Sequence, residues 1–454
     1  MNFSFGFIFL CVGVALASEE TYRAGVVTTH GDVNSYVPLI HEAGKLNVDI
    51  LVLPSPQAPL SSMERTCEMD NYDVLVETIS SAAKQAGLYV VAHLIEKTRC
   101  QNKNELVRSN LVFDREGNVV SVYRKPLTTV ANCTIAPTNI GTFSTDFGVQ
   151  FGLLMEEDLV LRKAEELDNF VVLGAWSSEV PFLSESQFAS SWAFSNNVNL
   201  VSSSGIFAGS SGSEARTHSN VQISDLDKLG NKNQQIVPPV VNSLELKSSP
   251  AEDLSQYIIR PLDVAASAQG YKETVCHDGF CCEFYVKMAF DGPKEEVNYG
   301  LAAFNGVRHF DHTHNIGSQT CAVFACAGLY KRSCSLGSQN STNVKFQKIS
   351  ITANFTETIQ YPIILTTGSK IEPKAFKMAA NSKQVTLEVT NADNLLTFGI
   401  FGRDFSKDSK NFVLNDSGSI YDTINEEMTE LFDYLWIRLR VVLIIASIYV
   451  LEML

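Results

Sequence analysis

An α/β layered domain followed by a β-rich, disulfide-stapled domain is the fold class that the sequence predicts. Between residues 23 and 202, short β-branched runs alternate with segments whose apolar residues recur at helical spacing. From about Tyr271 the helical spacing mostly disappears, short strands follow one another, and six cysteines cluster between Cys276 and Cys334. A chain of 454 residues, 45% hydrophobic and 19% charged, has the ordinary balance of a globular protein and the length for two or three domains. A net charge of -15 leaves no basic surplus to neutralise phosphate, which argues against a nucleic-acid partner.

The elements follow in order. Arg23–Thr28 reads as a strand, 33–45 as an amphipathic helix and Val48–Leu53 as a second, continuously apolar strand, together a β-α-β unit with parallel strands. Tyr72–Gly87 reads as a helix closed by its glycine, and Leu88–Leu94 as a strand. Asn110–Phe113 and Val119–Tyr123 form a hairpin around Glu116-Gly117-Asn118. Farther on, a helix is expected over Leu159–Leu167, a strand over Phe170–Leu173, a helix over Ser184–Asn196 and a strand over Val198–Ser202. Ser203–Ser213, rich in Ser and Gly, reads as a loop. The resulting organisation is a leader at 1–17, an α/β domain at 18–224, a poorly patterned connector at 225–270, a β domain at 271–408 and a terminal segment at 409–454.

Both ends point to the secretory route. Phe5–Leu16 is almost purely apolar and Ala15-Leu16-Ala17 offers a cleavage site, although the leader has no Lys or Arg. At the other end, small residues around Ser417 precede a polar spacer and an apolar run from Val441 to Leu451. This is the layout of a lipid-anchor (GPI) signal with Ser417 as the candidate attachment residue; an amphipathic end helix is the alternative, and the run falls short of the roughly 20 residues of a membrane span. Ten cysteines in such a chain read as a disulfide framework, and losing Cys11 with the leader leaves an odd number. Glycosylation sequons stand at Asn132, Asn340, Asn354 and Asn415. His309, His312 and His314 have strand spacing suited to a metal, but no further ligands accompany them, and they are read as an exposed loop; no metal or other cofactor is expected.

The stretch with the most chemical content is Thr142–Asp158. A strand, a turn at Phe147-Gly148 and a short apolar run end in Glu156, Glu157 and Asp158, at the carboxyl end of a strand where α/β folds place their chemistry. The segment resembles the nucleophile strand of the vanin/biotinidase branch of the nitrilase (carbon–nitrogen hydrolase) superfamily, whose pattern is roughly TF-x-T-x-FG-x-FG-x-x-T-C-F-D. Val122-Tyr123-Arg124-Lys125 resembles that family's RYHK, Phe170–Trp176 its strand ending in TAW, Gln187–Ala193 its F-x-x-AWA, and Val198-Asn199-Leu200 its VN-L. In the β domain, Val275-Cys276 with Cys281-Cys282, Leu301–Gly306 and Phe398–Arg403 are similar to its VC-x4-CC, LGAF-DG and LFGR. The match runs with gaps from about Thr21 to Asp408 and resembles an insect-type vanin-like protein.

The resemblance implies a nitrilase-type α-β-β-α sandwich followed by a disulfide-rich β domain. It also implies a triad of thiol nucleophile, glutamate base and oxyanion-binding lysine for hydrolysing linear amides such as pantetheine. On this chain the three positions are Glu156, Ser55 and Lys125, so only the lysine is retained. A serine hydroxyl titrates far outside the working range and cannot act as the base, and a carboxylate attacking an amide leaves a mixed anhydride. A lysine left beside Glu156 is expected to form an ion pair. The expected function is a secreted or cell-surface binding or scaffold protein with a degenerate triad, taking at most a small pantetheine-like amide; a weakly active amidase stays open as the alternative. The resemblance further leaves Cys67 without a partner, with Cys100, Cys133, Cys276, Cys281, Cys282, Cys321, Cys326 and Cys334 as the disulfide candidates.

Overall fold

The computed structural model describes residues 20–408 except 30, 32, 55–71, 101–102, 127–140, 175–178, 213–214, 230–235, 243–253, 291–297, 311–313, 327–343, 357, 369 and 382–383. Ser55, Cys67, Asn132, Cys133, His312, Cys334, Asn340, Asn415, Ser417 and both terminal segments therefore lie outside the described residues, as does the side chain of Cys100.

The N-terminal half runs β1 (Thr21–Val27), α1 (Val33–Lys45), β2 (Ile50–Val52), α2 (Tyr72–Ala86), β3 (Tyr89–Cys100), β4 (Lys103–Phe113), β5 (Val119–Pro126), β6 (Gly141–Ser144), β7 (Gln150–Met155), α3 (Asp158–Leu161), β8 (Asn169–Leu173), α4 (Glu185–Asn196), β9 (Asn199–Ser202), β10 (Gly205–Ala208), β11 (Arg216–His218) and β12 (Val221–Asp227). One sheet has the order β11-β12-β1-β2-β3-β4-β5 and the other β10-β9-β8-β7-β6. β1, β2 and β3 are parallel, as are β7, β8 and β9. Parallel strands buried on both faces need continuous apolar runs, which is what Ile50-Leu51-Val52 and Phe170–Leu173 supply, all fully buried. The inner faces meet through Val26, Val52, Val91, Phe151, Met155 and Val171. α1 and α2 cover the outer face of the first sheet through Ile40, Ala43, Ile79 and Ala83. This is the layered α/β sandwich that the sequence predicts.

The C-terminal half contains β13 (Val240–Asn242), β14 (Ile258–Pro261), α5 (Val264–Ser267), β15 (Tyr271–His277), β16 (Phe280–Phe290), β17 (Asn298–Phe310), β18 (His314–Cys326), β19 (Val344–Asn354), β20 (Ile359–Thr366), β21 (Phe376–Asn381), β22 (Gln384–Asp393) and β23 (Leu395–Arg403). They form sheets of order β13-β20-β23-β18-β17-β14 and β15-β16-β19-β22-β21. Alternation writes this sandwich directly: in β22, Val385, Leu387 and Val389 point inward between more exposed Gln384, Thr386 and Glu388. Cys282–Cys321 joins the two sheets inside the core across 39 residues, a cross-link worth about 2–5 kcal/mol when removed from a secreted domain. Cys276–Cys281 closes the β15–β16 hairpin, and Cys326 is also disulfide-bonded.

The β domain is welded to the α/β half. Phe170 on the second sheet and Phe188 and Trp192 on α4, which covers that sheet, share one buried cluster with Phe304, Phe324 and Tyr361 of the β domain. Arg403 is fully buried, and its guanidinium donates to the carbonyls of Val160 and Gly317 and to the Asp408 carboxylate. Arg308 pairs with Glu179, and Thr397 Oγ1 donates to the Pro181 carbonyl at 2.9 Å.

Three local expectations are corrected. The helix over Leu159–Leu167 is a single turn, α3: Arg162 is extended (φ -128°, ψ 153°), its side chain turns back onto Asp158, and Arg403 takes the Val160 carbonyl. Competition from these side chains outweighs a modest helical pattern. Ser203–Ser213 is not all loop, because Ser203-Ser204 make a tight turn and Gly205–Ala208 returns as β10 against β9. The hairpin strands reach well beyond 110 and 123, and inside the 225–270 interval β12 extends to Asp227 while β13 and β14 join a C-terminal sheet.

Candidate functional site

Strand β7 ends in the first turn of α3, which throws Glu156, Glu157 and Asp158 in different directions at the junction of the two N-terminal sheets. All three carboxylates are buried, so each requires compensation. The hairpin β4–β5 supplies the cations. Its register pairs Arg108 with Lys125, two residues beyond the pair Asn110–Tyr123, so both cations lie side by side at one end of the first sheet.

Lys125 Nζ donates to Asp158 Oδ1 at 2.6 Å and to Glu157 Oε1 at 3.0 Å. Arg108 Nη2 donates to the same Glu157 oxygen at 2.7 Å. Asp158 also accepts from Arg162 Nε at 3.0 Å, Tyr123 OH at 3.0 Å and the backbone N–H of Met155 at 3.0 Å. Burial alone would raise the Glu157 carboxyl, but the charges of Lys125 and Arg108 overcome it and hold the group below the usual carboxylate range. Burial and the negative charge of Asp158 push the Tyr123 phenol up, so it stays a proton donor.

Glu156 takes the opposite course. Its Oε1 accepts from Ser203 Oγ at 2.5 Å, and its carboxyl hydrogen-bonds that of Glu185 at the start of α4, which in turn is bonded to Ser204. Burial and the charge of Glu185 hold Glu156 well above the usual range, and burial raises Glu185 too. Two carboxyls in contact, one of them buried and the other half-buried, disfavour each other's ionisation, so the pair favours holding a proton. The expected Lys125–Glu156 ion pair is therefore corrected: Lys125 pairs with Glu157 and Asp158, because those two carboxylates meet the cations of β4 and β5 while Glu156 is kept protonated on the other side.

Behind this layer, His93 Nδ1 donates to Asn110 Oδ1 at 2.6 Å, and Asn110 Nδ2 donates to the carbonyls of Leu154 (2.8 Å) and Leu173 (3.1 Å). Only the amide nitrogen can face two carbonyls, which fixes the Asn110 orientation and the His93 tautomer. Burial pushes the His93 imidazole down to about 4, so the ring is neutral near pH 7. Sequence reasoning placed Lys125 and Glu156 and missed Arg108, Asn110, His93, Glu185 and Ser203. Arg108 and Asn110 were legible in the hairpin register; His93, Glu185 and Ser203 come from other elements. Of the remaining site candidates, Asn354 is exposed at the end of β19, and His309 and His314 are exposed where β17 meets β18. Among the described residues no group of three His, Cys, Asp or Glu side chains is placed to hold a metal.

The two carboxyl sets carry opposite pH signatures. Glu157, lowered on folding, contributes stability above the ordinary glutamate range, lost as pH falls through its folded value. Glu156 and Glu185, raised on folding, cost nothing below that range, cost progressively more as pH rises from it towards their folded values, and cost a constant amount above them. Glu156→Gln keeps the shape and removes the ionisation, so its unfolding free energy relative to wild type is expected to match at pH 4 and to rise steadily by pH 8. Chemical denaturation across that range measures it; a difference flat with pH contradicts the shared-proton pair.

Residues 247–408 match the family model described as the vanin C-terminal domain. The chain is 27% identical to Vanin-like protein 1 of Drosophila melanogaster over 87% of this chain and 88% of that protein. It is 26% identical to Vanin-like protein 3 of the same organism, over 86% and 90% respectively. It is also 25% identical to mouse (Mus musculus) pantetheinase over 73% of this chain and 70% of the enzyme. Among solved structures, an amidase from Nesterenkonia sp. aligns with 48% of this chain and 94% of its own at 16% identity and a TM-score of 0.35. Residues 247–408 are thus a vanin C-terminal domain, and over most of its length the chain is similar to vanin-like proteins and pantetheinases.

Proposed function

We propose that this vanin-like chain works without thiol-based amide hydrolysis, as a binding or scaffold protein. The observation that carries the reading is Glu156. The position that aligns with the family's attacking thiol holds a buried, proton-sharing carboxyl capped by Ser203 and Glu185. A protonated carboxyl is a poor nucleophile. Ser55 at the aligned base position adds to the case, since a hydroxyl cannot relay the protons.

Pantetheine hydrolysis by the wild type, Ser55→Glu, Glu156→Cys and the double variant, measured from pH 4 to 8, tests this. The expected outcome is background for the wild type and both single variants, with turnover confined to the double, because members of a cooperating site do not contribute additively. Clear wild-type turnover that Glu156→Gln abolishes contradicts the reading and establishes the weakly active hydrolase instead.

The same reading places the protein outside the cell or on its surface, as a glycoprotein. Disulfides in the β domain fit an oxidising compartment, and Asn354 is exposed for a glycan. Among the described residues no helix is long and apolar enough to cross a membrane, and the small-residue patch near Ser417 ahead of the apolar run from Val441 supports a lipid anchor. Phosphatidylinositol-specific phospholipase C is expected to release the protein from expressing cells; protein that stays on the cells with its apolar tail retained by mass refutes the anchor.

A further inference from the structure

Strand β16 carries two adjacent half-cystines, Cys281 and Cys282, and the two-residue period of a strand sends them to opposite faces. Cys282 turns inward to Cys321, both fully buried, and ties one sheet of the β domain to the other. Cys281 turns outward to Cys276, its direct opposite on β15, and both of these residues are exposed. The outward bond closes nothing that is not already closed. Asp278 and Gly279 make the hairpin turn at φ 46° and 76°, and a ladder from Tyr271–Val286 to His277–Phe280 fixes the register. One bridge is therefore buried and joins distant segments, and its neighbour is solvent-reachable and locally redundant.

Cys276 also stands in a cleft of about 470 Å³ between β14 and β15, where the edges of the two C-terminal sheets meet. Ile258, Arg260, Pro261, Tyr271 and Glu273 line it with Cys276. The Tyr271 phenol donates to the Glu273 carboxylate at 2.6 Å, and exposed Arg260 brings a guanidinium to the same cleft. The cleft thus places an exposed disulfide sulfur beside a guanidinium that an anionic ligand can meet.

We propose that Cys276–Cys281 is a thiol-exchange site that takes low-molecular-weight anionic thiols from this cleft. The incoming thiolate attacks Cys276 Sγ and forms a mixed disulfide there. The Cys276–Cys281 bond breaks, and its electron pair leaves on Cys281 Sγ, which takes a proton from solvent. A second thiolate then attacks the small-thiol sulfur of the mixed disulfide, releasing a small disulfide and leaving Cys276 as a thiolate. In total two thiols are oxidised to one disulfide, and the protein bridge is reduced to two cysteines. Arg260 favours approach of a thiol that carries carboxylates.

The test uses the full oxidised protein without denaturant, reduced glutathione as the probe, a maleimide quench and peptide mapping. Glutathione is expected on Cys276 and maleimide on Cys281, appearing at least about tenfold faster than any opening of Cys282–Cys321, as access to the sulfur sets the rate, while circular dichroism stays unchanged. Arg260→Glu is expected to slow the reaction with glutathione several-fold and to leave that with neutral 2-mercaptoethanol unaltered. Equal opening of the two disulfides overturns the proposal. So does glutathione recovered chiefly on Cys281, or an Arg260→Glu variant that slows both thiols alike.

Discussion

Charge compensation at the end of β7 is the constraint on which the α/β half depends. Three consecutive carboxylates are buried where the two sheets meet, and unit charges 4 Å apart interact by about 4 kcal/mol even at an effective dielectric of 20. The chain resolves this by separating them. Glu157 and Asp158 face Lys125, Arg108 and Arg162, while Glu156 faces a second carboxyl and keeps a proton. Lys125 and Arg108 belong to β4 and β5 of one sheet and the anions to the β7–α3 turn of the other, so these ion pairs bind the two sheets together. Truncating one partner of such a network leaves the others buried and unpaired, which makes Lys125 a structural residue here.

The β domain reaches the same turn from the other side. Arg403 crosses from the end of β23 to hold the Val160 carbonyl, one turn after Glu156, and the Asp408 carboxylate neutralises its buried guanidinium. The Arg308–Glu179 pair and the Thr397–Pro181 hydrogen bond fasten the loop that leads into α4, the helix that presents Glu185. The C-terminal sandwich is thereby part of what fixes the geometry around Glu156, and changes at Arg403 act on that geometry through α3.

How much of this was legible in the sequence depended on whether the deciding contact was local. β2 and β8 could be read because continuous apolar runs are local signals, and Gly87 (φ 67°) and Gly117 (φ 82°) sit where a left-handed residue was required. α3 could not be read, because the contacts that stop it come from Arg403 and Asp158. β10 was hidden by a Ser- and Gly-rich composition whose pairing with β9 is tertiary. At the site, Lys125 could be placed from its flanking residues, yet its partner could not: which of three adjacent acids meets a given cation is set by the backbone turn after Met155. Glu185 and Ser203, far along the chain, carried no signal that tied them to Glu156.

The central claim is that Lys125 serves as the counter-ion of two buried carboxylates. A double-mutant cycle of Lys125→Met with Glu157→Gln, read by urea unfolding at pH 7, tests it most directly. Each single change is expected to lose about 3–5 kcal/mol, and the double to lose clearly less than the sum, because removing both charges leaves neither stranded. Strictly additive losses, or single losses below about 0.5 kcal/mol, the range of ordinary surface substitutions, would contradict the account.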